Sequence, residues 1–200
     1  MRKLVFFIGP AGAGKTTLAK ALAARRRAAF FDMDTLLRPA AEAIMTLSGL
    51  DPNDRDSPVY KTRCRDLGYR ITMDAALENV ELGIDAIVVG PFTKETEDPA
   101  WLAGELARIG ASADDVDVRA VFVYLPDMEL YRERLRKRAS PLDVWKLDNW
   151  NEFSRSLALR QIRWDLPPSS IVYFDNSGPF AEEKLAELER LVYGGGPAES

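Results

Sequence analysis

Apolar residues in this chain fall into two patterns that alternate along its length. Leu4 to Ile8, Phe30 and Phe31, Ile84 to Val89, Val118 to Leu125 and Ile171 to Phe174 are short apolar runs of strand length, suited to burial on both faces. Between them, apolar positions recur every three to four residues. Leu18, Ala21 and Leu22 share one face of a helix starting near Gly14, and Leu185, Leu188 and Leu191 share one face of a helix over Phe180 to Val192. Strands alternating with helices predict an α/β fold of three layers, with a five-stranded, mostly parallel sheet covered on both sides.

Two stretches depart from this rhythm. After Phe31, helical patterns over about Leu36 to Leu47 and Val59 to Leu82 flank the polar loop LDPNDRDSP, with no strand between them. They predict a helical lobe over about 35–82. A strongly basic helix from about Asp127 to Arg138 is followed by a loop or lid from Ser140 to Trp150, so the second departure covers about 127–150. The last seven residues, GGGPAES, read as a disordered tail, 194–200, leaving a single domain over 1–193.

Charge and composition narrow the chemistry. The formal charge is −4, with 31 acidic against 27 basic side chains, which argues against a surface built to neutralise nucleic-acid phosphates. No segment has the ~20 apolar residues needed to span a bilayer, so no membrane partner is expected. The opening residues resemble a secretory signal, but Lys15 and Lys20 interrupt it before any plausible cleavage site, and a cytoplasmic location is expected. Cys64 is the single cysteine and histidine is absent, which disfavours zinc or haem ligation and any Ser/His or Cys/His pair. Arg25, Arg26 and Arg27 close the first helix, where cations suit the helix dipole.

The chemistry centres on Gly9-Pro10-Ala11-Gly12-Ala13-Gly14-Lys15-Thr16, which fits GxxxxGKT and falls between a predicted strand and a predicted helix. Small residues let the main chain of Gly12, Ala13 and Gly14 curl around an anion, so that backbone N–H groups and the positive end of the helix converge on phosphates. Lys15 reaches the terminal phosphates, the Thr16 hydroxyl is placed for Mg²⁺, and Thr17 follows at the same mouth. This is a P-loop of the NTPase fold, and it implies Mg²⁺-ATP. No guanine-type NKxD signature accompanies it.

Three stretches carry a resemblance to P-loop small-molecule kinases: the P-loop, FFDMD after the second strand, and YLPDMELYRERLRKR after the fourth. The chain resembles nucleoside monophosphate, gluconate and shikimate kinases and chloramphenicol phosphotransferase. It is also similar to the AAA_33-like predicted kinases, in VVGPFTKE and in Trp145, Lys146 and Leu147. The resemblance implies transfer of the ATP γ-phosphate to a hydroxyl of a small molecule. Within it, Asp34 matches the carboxylate that contacts the acceptor hydroxyl, and Asp32 the one associated with magnesium. Either aspartate can instead cap the following helix. Arg134 matches a residue packed near adenine and Arg138 one that reaches the phosphates during transfer. Both share a helix face, where a solvated charged helix is the alternative. Asn176 lies where these kinases build part of the adenine pocket, and a simple turn explains it equally. Gly90 stands where a Walker B aspartate commonly ends the third strand, which strengthens Asp32 as the metal-side carboxylate.

Acceptor contacts are expected from the substrate lobe at 35–82. Arg38 lies one turn beyond Asp34 and Arg63 opens the second lobe helix, so both are candidates to grip a phosphate or carboxylate. Phe92, just past the third strand, lines the pocket or packs in the core. A 5′-hydroxyl nucleic-acid kinase and a nucleotide-dependent switch remain alternatives. The sequence sets neither the acceptor nor an oligomeric state.

Overall fold

The structure is a computed structural model that describes residues 1–55 and 57–194; all of the predicted tail beyond Gly194 lies outside the described residues. Five strands form the sheet: β1 (Lys3–Ile8), β2 (Ala29–Asp32), β3 (Ala86–Val89), β4 (Asp117–Tyr124) and β5 (Ile171–Asp175). Their order is β2-β3-β1-β4-β5, and every neighbouring pair is parallel. Parallel strands need crossovers, and the helices α1 (Lys15–Arg26), α2 (Met33–Leu47), α3 (Arg65–Glu81), α4 (Trp101–Ala107), α5 (Met128–Arg138), α6 (Val144–Asp148) and α7 (Trp150–Phe153) lie along those connections, while α8 (Glu182–Tyr193) follows the last strand.

The alternation of β1 divides the core. Leu4, Phe6 and Ile8 face one layer, where Met73, Leu77 and Val80 of α3 and Leu102 and Leu106 of α4 are buried. Val5 and Phe7 face the other, against Leu18 and Leu22 of α1, Tyr131 and Leu135 of α5, and Leu185, Leu188 and Val192 of α8. Helices thus cover both faces of the sheet, as the strand–helix alternation requires. Leu191 was expected inward on α8 but is 40% exposed, and Val192 is buried in its stead. Arg25 and Arg26, besides suiting the end of α1, pair with Glu182 and Glu189 of α8 and tie the two helices together.

The predicted lobe helices are present with shifted bounds. α2 begins at Met33 because Asp32 caps it, and the second opens with a π-helical turn, Tyr60–Cys64, that runs into α3. A small separate core of Leu37, Ala41, Met45, Tyr60 and Cys64 joins the pair. No helix among the described residues is long and apolar enough to cross a membrane. In register, Phe7 pairs with Val89 and Val89 with Asp32, so β1, β2 and β3 end together. That common carboxyl edge, where open parallel sheets place ligands, holds the candidate site.

Candidate active site

A cleft of about 870 Å³ opens at this edge. Its floor is the loop between β1 and α1. Gly12 (φ 86°) and Gly14 (φ 93°) take left-handed conformations that fold the main chain into a concave turn. Gly14 caps α1 with no side-chain hydrogen bond, so the first-turn N–H groups have no side-chain acceptor and stay available to an anion. A Cβ on Gly14 would collide with Asn176 Nδ2. Asn176 Nδ2 donates to Ala13 O at 2.8 Å, and Arg134 donates to both Ala13 O (3.2 Å) and Asn176 O (2.6 Å). The two predicted nucleotide-side residues therefore meet at the outer wall of the loop, Arg134 reaching it from α5 and Asn176 from the end of β5.

Lys15 Nζ donates to Pro10 O at 2.8 Å. Burial lowers its pKa to about 8, against the pull of Asp34 and Asp32 and with repulsion from Arg138 and Arg160. Four charged side chains predicted or found around this cleft thus act on a single ammonium.

Asp32 combines the two roles left open by the sequence. Its Oδ1 accepts from the N–H groups of Asp34 (3.0 Å) and Thr35 (3.3 Å), capping α2, while Oδ2 accepts from Thr16 Oγ1 at 2.9 Å. Capping engages one oxygen of the carboxylate and leaves the other toward Thr16. Asp34, in the first turn of α2, lines the cleft with its side chain 63% exposed and pairs with Arg55 Nη1 at 2.8 Å. An ion pair so open to water is weak and readily exchanged.

Arg138 also lines the cleft, but its guanidinium is held in a two-point fork by Asp143, at 2.7 and 2.6 Å. Asp143 is 1% exposed and takes a further bond from Lys146 at 3.1 Å. The segment predicted as a loop or lid is in fact largely helical, with a short 3-10 turn at Pro141–Asp143 leading into α6 and α7.

Arg38 and Thr17 line the cleft as expected, whereas Arg63 and Phe92 do not. Arg63 sits on the exposed side of the π turn, because the wider turn rotates it outward and leaves Cys64 buried and Arg65 on the cleft. Phe92 is fully buried: with φ 42° it folds back across Gly90 and packs on Phe6, Tyr69 and Trp101 at centroid distances of 5.3, 5.0 and 5.7 Å. A Cβ on Gly90 would lie 2.9 Å from that ring, which gives the glycine at the end of β3 a packing reason. Sequence reasoning missed Tyr69 and Arg160 in the cleft wall. Arg160 lies in irregular chain without periodicity, and Tyr69 was indistinguishable from any other apolar position of its helix.

Lys15, Arg38, Arg55, Arg65, Arg134, Arg138, Lys146 and Arg160 line the cleft against only Asp32, Asp34 and Asp143. The cleft is cationic although the chain is acidic, which fits a polyphosphate. Among the described residues no group of three or more His, Cys, Asp or Glu could hold a metal alone. Magnesium needs no such cage, since it is held by one or two protein oxygens together with phosphates and water, and the Thr16–Asp32 pair fits that role.

The fold is shared with a sugar kinase from Janibacter sp. HTCC2649 (19% identity, TM-score 0.58, covering 95% of this chain and 93% of that one). It is shared with a gluconokinase from Sinorhizobium meliloti 1021 (20%, 0.51, 96% and 93%). A shikimate kinase from Bacteroides thetaiotaomicron also aligns (16%, 0.50, 94% and 97%). No curated protein matches at the sequence level. The family model described as AAA domain, AAA_33, matches residues 4–159, and by this match the chain belongs to that family of P-loop proteins.

Proposed function

We propose that the protein transfers the γ-phosphoryl group of ATP to a hydroxyl of a small molecule. The observation that carries this reading is the placement of Asp34 in one cleft with Lys15, where burial lowers the lysine pKa and the charge of Asp34 opposes it. A carboxylate at the strand end beside a phosphate loop is placed to orient an alcohol and accept its proton. Thr16 and Asp32 would hold magnesium, which when bound neutralises charge on the phosphate oxygens.

The remaining work falls to side chains of this chain. Gly12, Ala13 and Gly14 offer main-chain N–H groups to the phosphates, Lys15 offers its ammonium, and Arg134 with Asn176 braces the loop beside the base. Arg138 reaches the transferring group by exchanging its fork on Asp143 for phosphate oxygens, and the segment from Ser140 onward acts as a lid that excludes water. Arg55 covers Asp34 until the acceptor hydroxyl displaces it.

Labelled ATP incubated with metabolites, sugars, nucleosides, nucleotide sugars and antibiotics, with a 5′-hydroxyl oligonucleotide alongside, tests the reading. Label is expected on a small molecule, and Asp34→Asn is expected to lower kcat by about 100-fold or more while ATP affinity stays within about threefold. Label on the oligonucleotide alone, on nothing, or loss of ATP affinity in Asp34→Asn would each refute it.

A further inference from the structure

With the nucleotide side supplied by Lys15, Arg134 and Arg138, positive charge is left over on the opposite wall of the cleft. Arg160 comes from the chain after the 3-10 turn Ser154–Leu157; its Nη2 donates to Pro91 O at 3.0 Å, while its Nε is buried without a partner. Among the described residues no carboxylate forms an ion pair with Arg160; burial depresses its pKa, and Glu97 and Glu95 oppose that only from beyond contact distance. Beside it, Arg65 is held from behind by Glu95, Nη2 to Oε1 at 3.4 Å, and lies 5.5 Å over the Tyr69 ring. The Tyr69 hydroxyl is buried and meets no partner at bonding geometry. Arg65, Tyr69 and Arg160 all line the cleft; Tyr69 feels the charge of Arg65, and Arg160 that of both.

Buried donors without acceptors destabilise a fold, and a desolvated guanidinium with no carboxylate in contact does so most. A cluster of such donors on a ligand-facing wall makes sense when an acceptor-rich ligand completes it. We propose that Arg65 and Arg160 form a subsite for an oxyanion, with the Tyr69 hydroxyl donating a further hydrogen bond, so that the phosphoryl acceptor is an anionic alcohol. Its carboxylate or phosphate rests on the two guanidinium groups while its hydroxyl faces Asp34. A guanidinium fork matches either oxyanion. Lys15 and Arg160 line one cleft, and the charge of Arg160 acts on the ammonium, which puts the subsite beside the phosphate loop rather than at a remote surface. The identity of the acceptor rests on the phosphotransfer reading above; the anion subsite can be measured without turnover.

Calorimetric titrations with magnesium and a saturating non-hydrolysable ATP analogue present keep the P-loop filled, so an added anion is left the acceptor side of the cleft, and variants on this wall show whether it rests there. Polyhydroxy acids and sugar phosphates serve as probes, each paired with its uncharged polyol or sugar, and the two arms distinguish carboxylate from phosphate. At least one anionic probe is expected to bind tenfold or more tighter than its neutral partner. Arg160→Met is expected to reduce that ratio to within about threefold and to change the analogue's affinity by no more than about threefold. Tyr69→Phe keeps the packed ring and removes only the unpartnered hydroxyl, so it should weaken the anion severalfold without lowering the melting temperature. The proposal is overturned if neutral probes bind as well as anionic ones. It is overturned equally if Arg160→Met weakens the nucleotide analogue instead, which would assign Arg160 to the γ-phosphate. Anion binding that follows these expectations with no transfer to any probe would uphold the subsite and count against the phosphotransfer reading alone.

Discussion

Lys15 shows how a single residue carries two opposite pH dependences. Its pKa falls from 10.5 to about 8 because burial penalises the ammonium more than Asp34 and Asp32 can recover. Between those two values the unfolded chain binds more protons than the folded one, so stability from this group rises with pH across the window, and at neutral pH its burial is a cost. Nucleotide binding runs the other way, since phosphates attract only the protonated form. The ATP Kd is therefore expected to be flat near pH 7 and to climb above pH 8, approaching about tenfold per unit. Lys15→Met is expected to bind poorly at neutral pH and to show no such climb. Fluorescence titration of both proteins from pH 6.5 to 9.5 decides the matter, and a flat wild-type profile would show that Lys15 is not the titrating contact.

At the scale of elements, α5 and the turns after it depend on one buried carboxylate. Asp143 accepts from Arg138 and Lys146 and is almost wholly enclosed, so it holds the end of α5 against the start of α6. Asp143→Asn keeps the shape but removes the charge and one acceptor oxygen. A loss of about 1 to 3 kcal/mol is expected in urea unfolding, with faster amide exchange confined to the segment from Ser140 to Leu157. Uniform exchange across the chain would contradict a local role. This dependence was not legible in the sequence, because an aspartate after Ser-Pro-Leu looks like any turn residue. The strands were legible: five apolar runs are observed as strands, shifted by no more than about two residues at their ends. Helix α4 was missed, since seven residues interrupted by Gly104 give too short a period to register. The phosphate loop could be read residue by residue, because each position in it has a separate physical reason. The acceptor wall could be read only in part: the lobe offers arginines able to grip an anion, but that Arg65 rather than Arg63 faces the cleft, and that Tyr69 and Arg160 join it, is set by the π turn and by tertiary packing.

For the whole molecule, the distribution of charge matters more than its sum. A chain of net charge −4 gathers eight cationic side chains against three acidic ones around a single cleft. In the absence of ligand those cations repel one another, and the lowered pKa values of Lys15 and Arg160 arise in part from that repulsion. A bound polyphosphate removes the repulsion and links the P-loop, the start of α2 and the end of α5. Ligand that binds only the folded state stabilises it by about 2.7 kcal/mol at a hundredfold excess over Kd. For a protein of this size that is a rise in Tm of about 5 to 10 °C. Because the attraction is electrostatic, 0.5 M NaCl should weaken ATP binding, so the same ATP concentration should give a smaller shift than at 0.05 M. Differential scanning fluorimetry at the two salt levels measures this directly, with Lys15→Met expected to show little shift at either. A shift that does not change with salt would mean that the base and its apolar contacts, rather than the convergence of cations on the phosphates, hold the nucleotide.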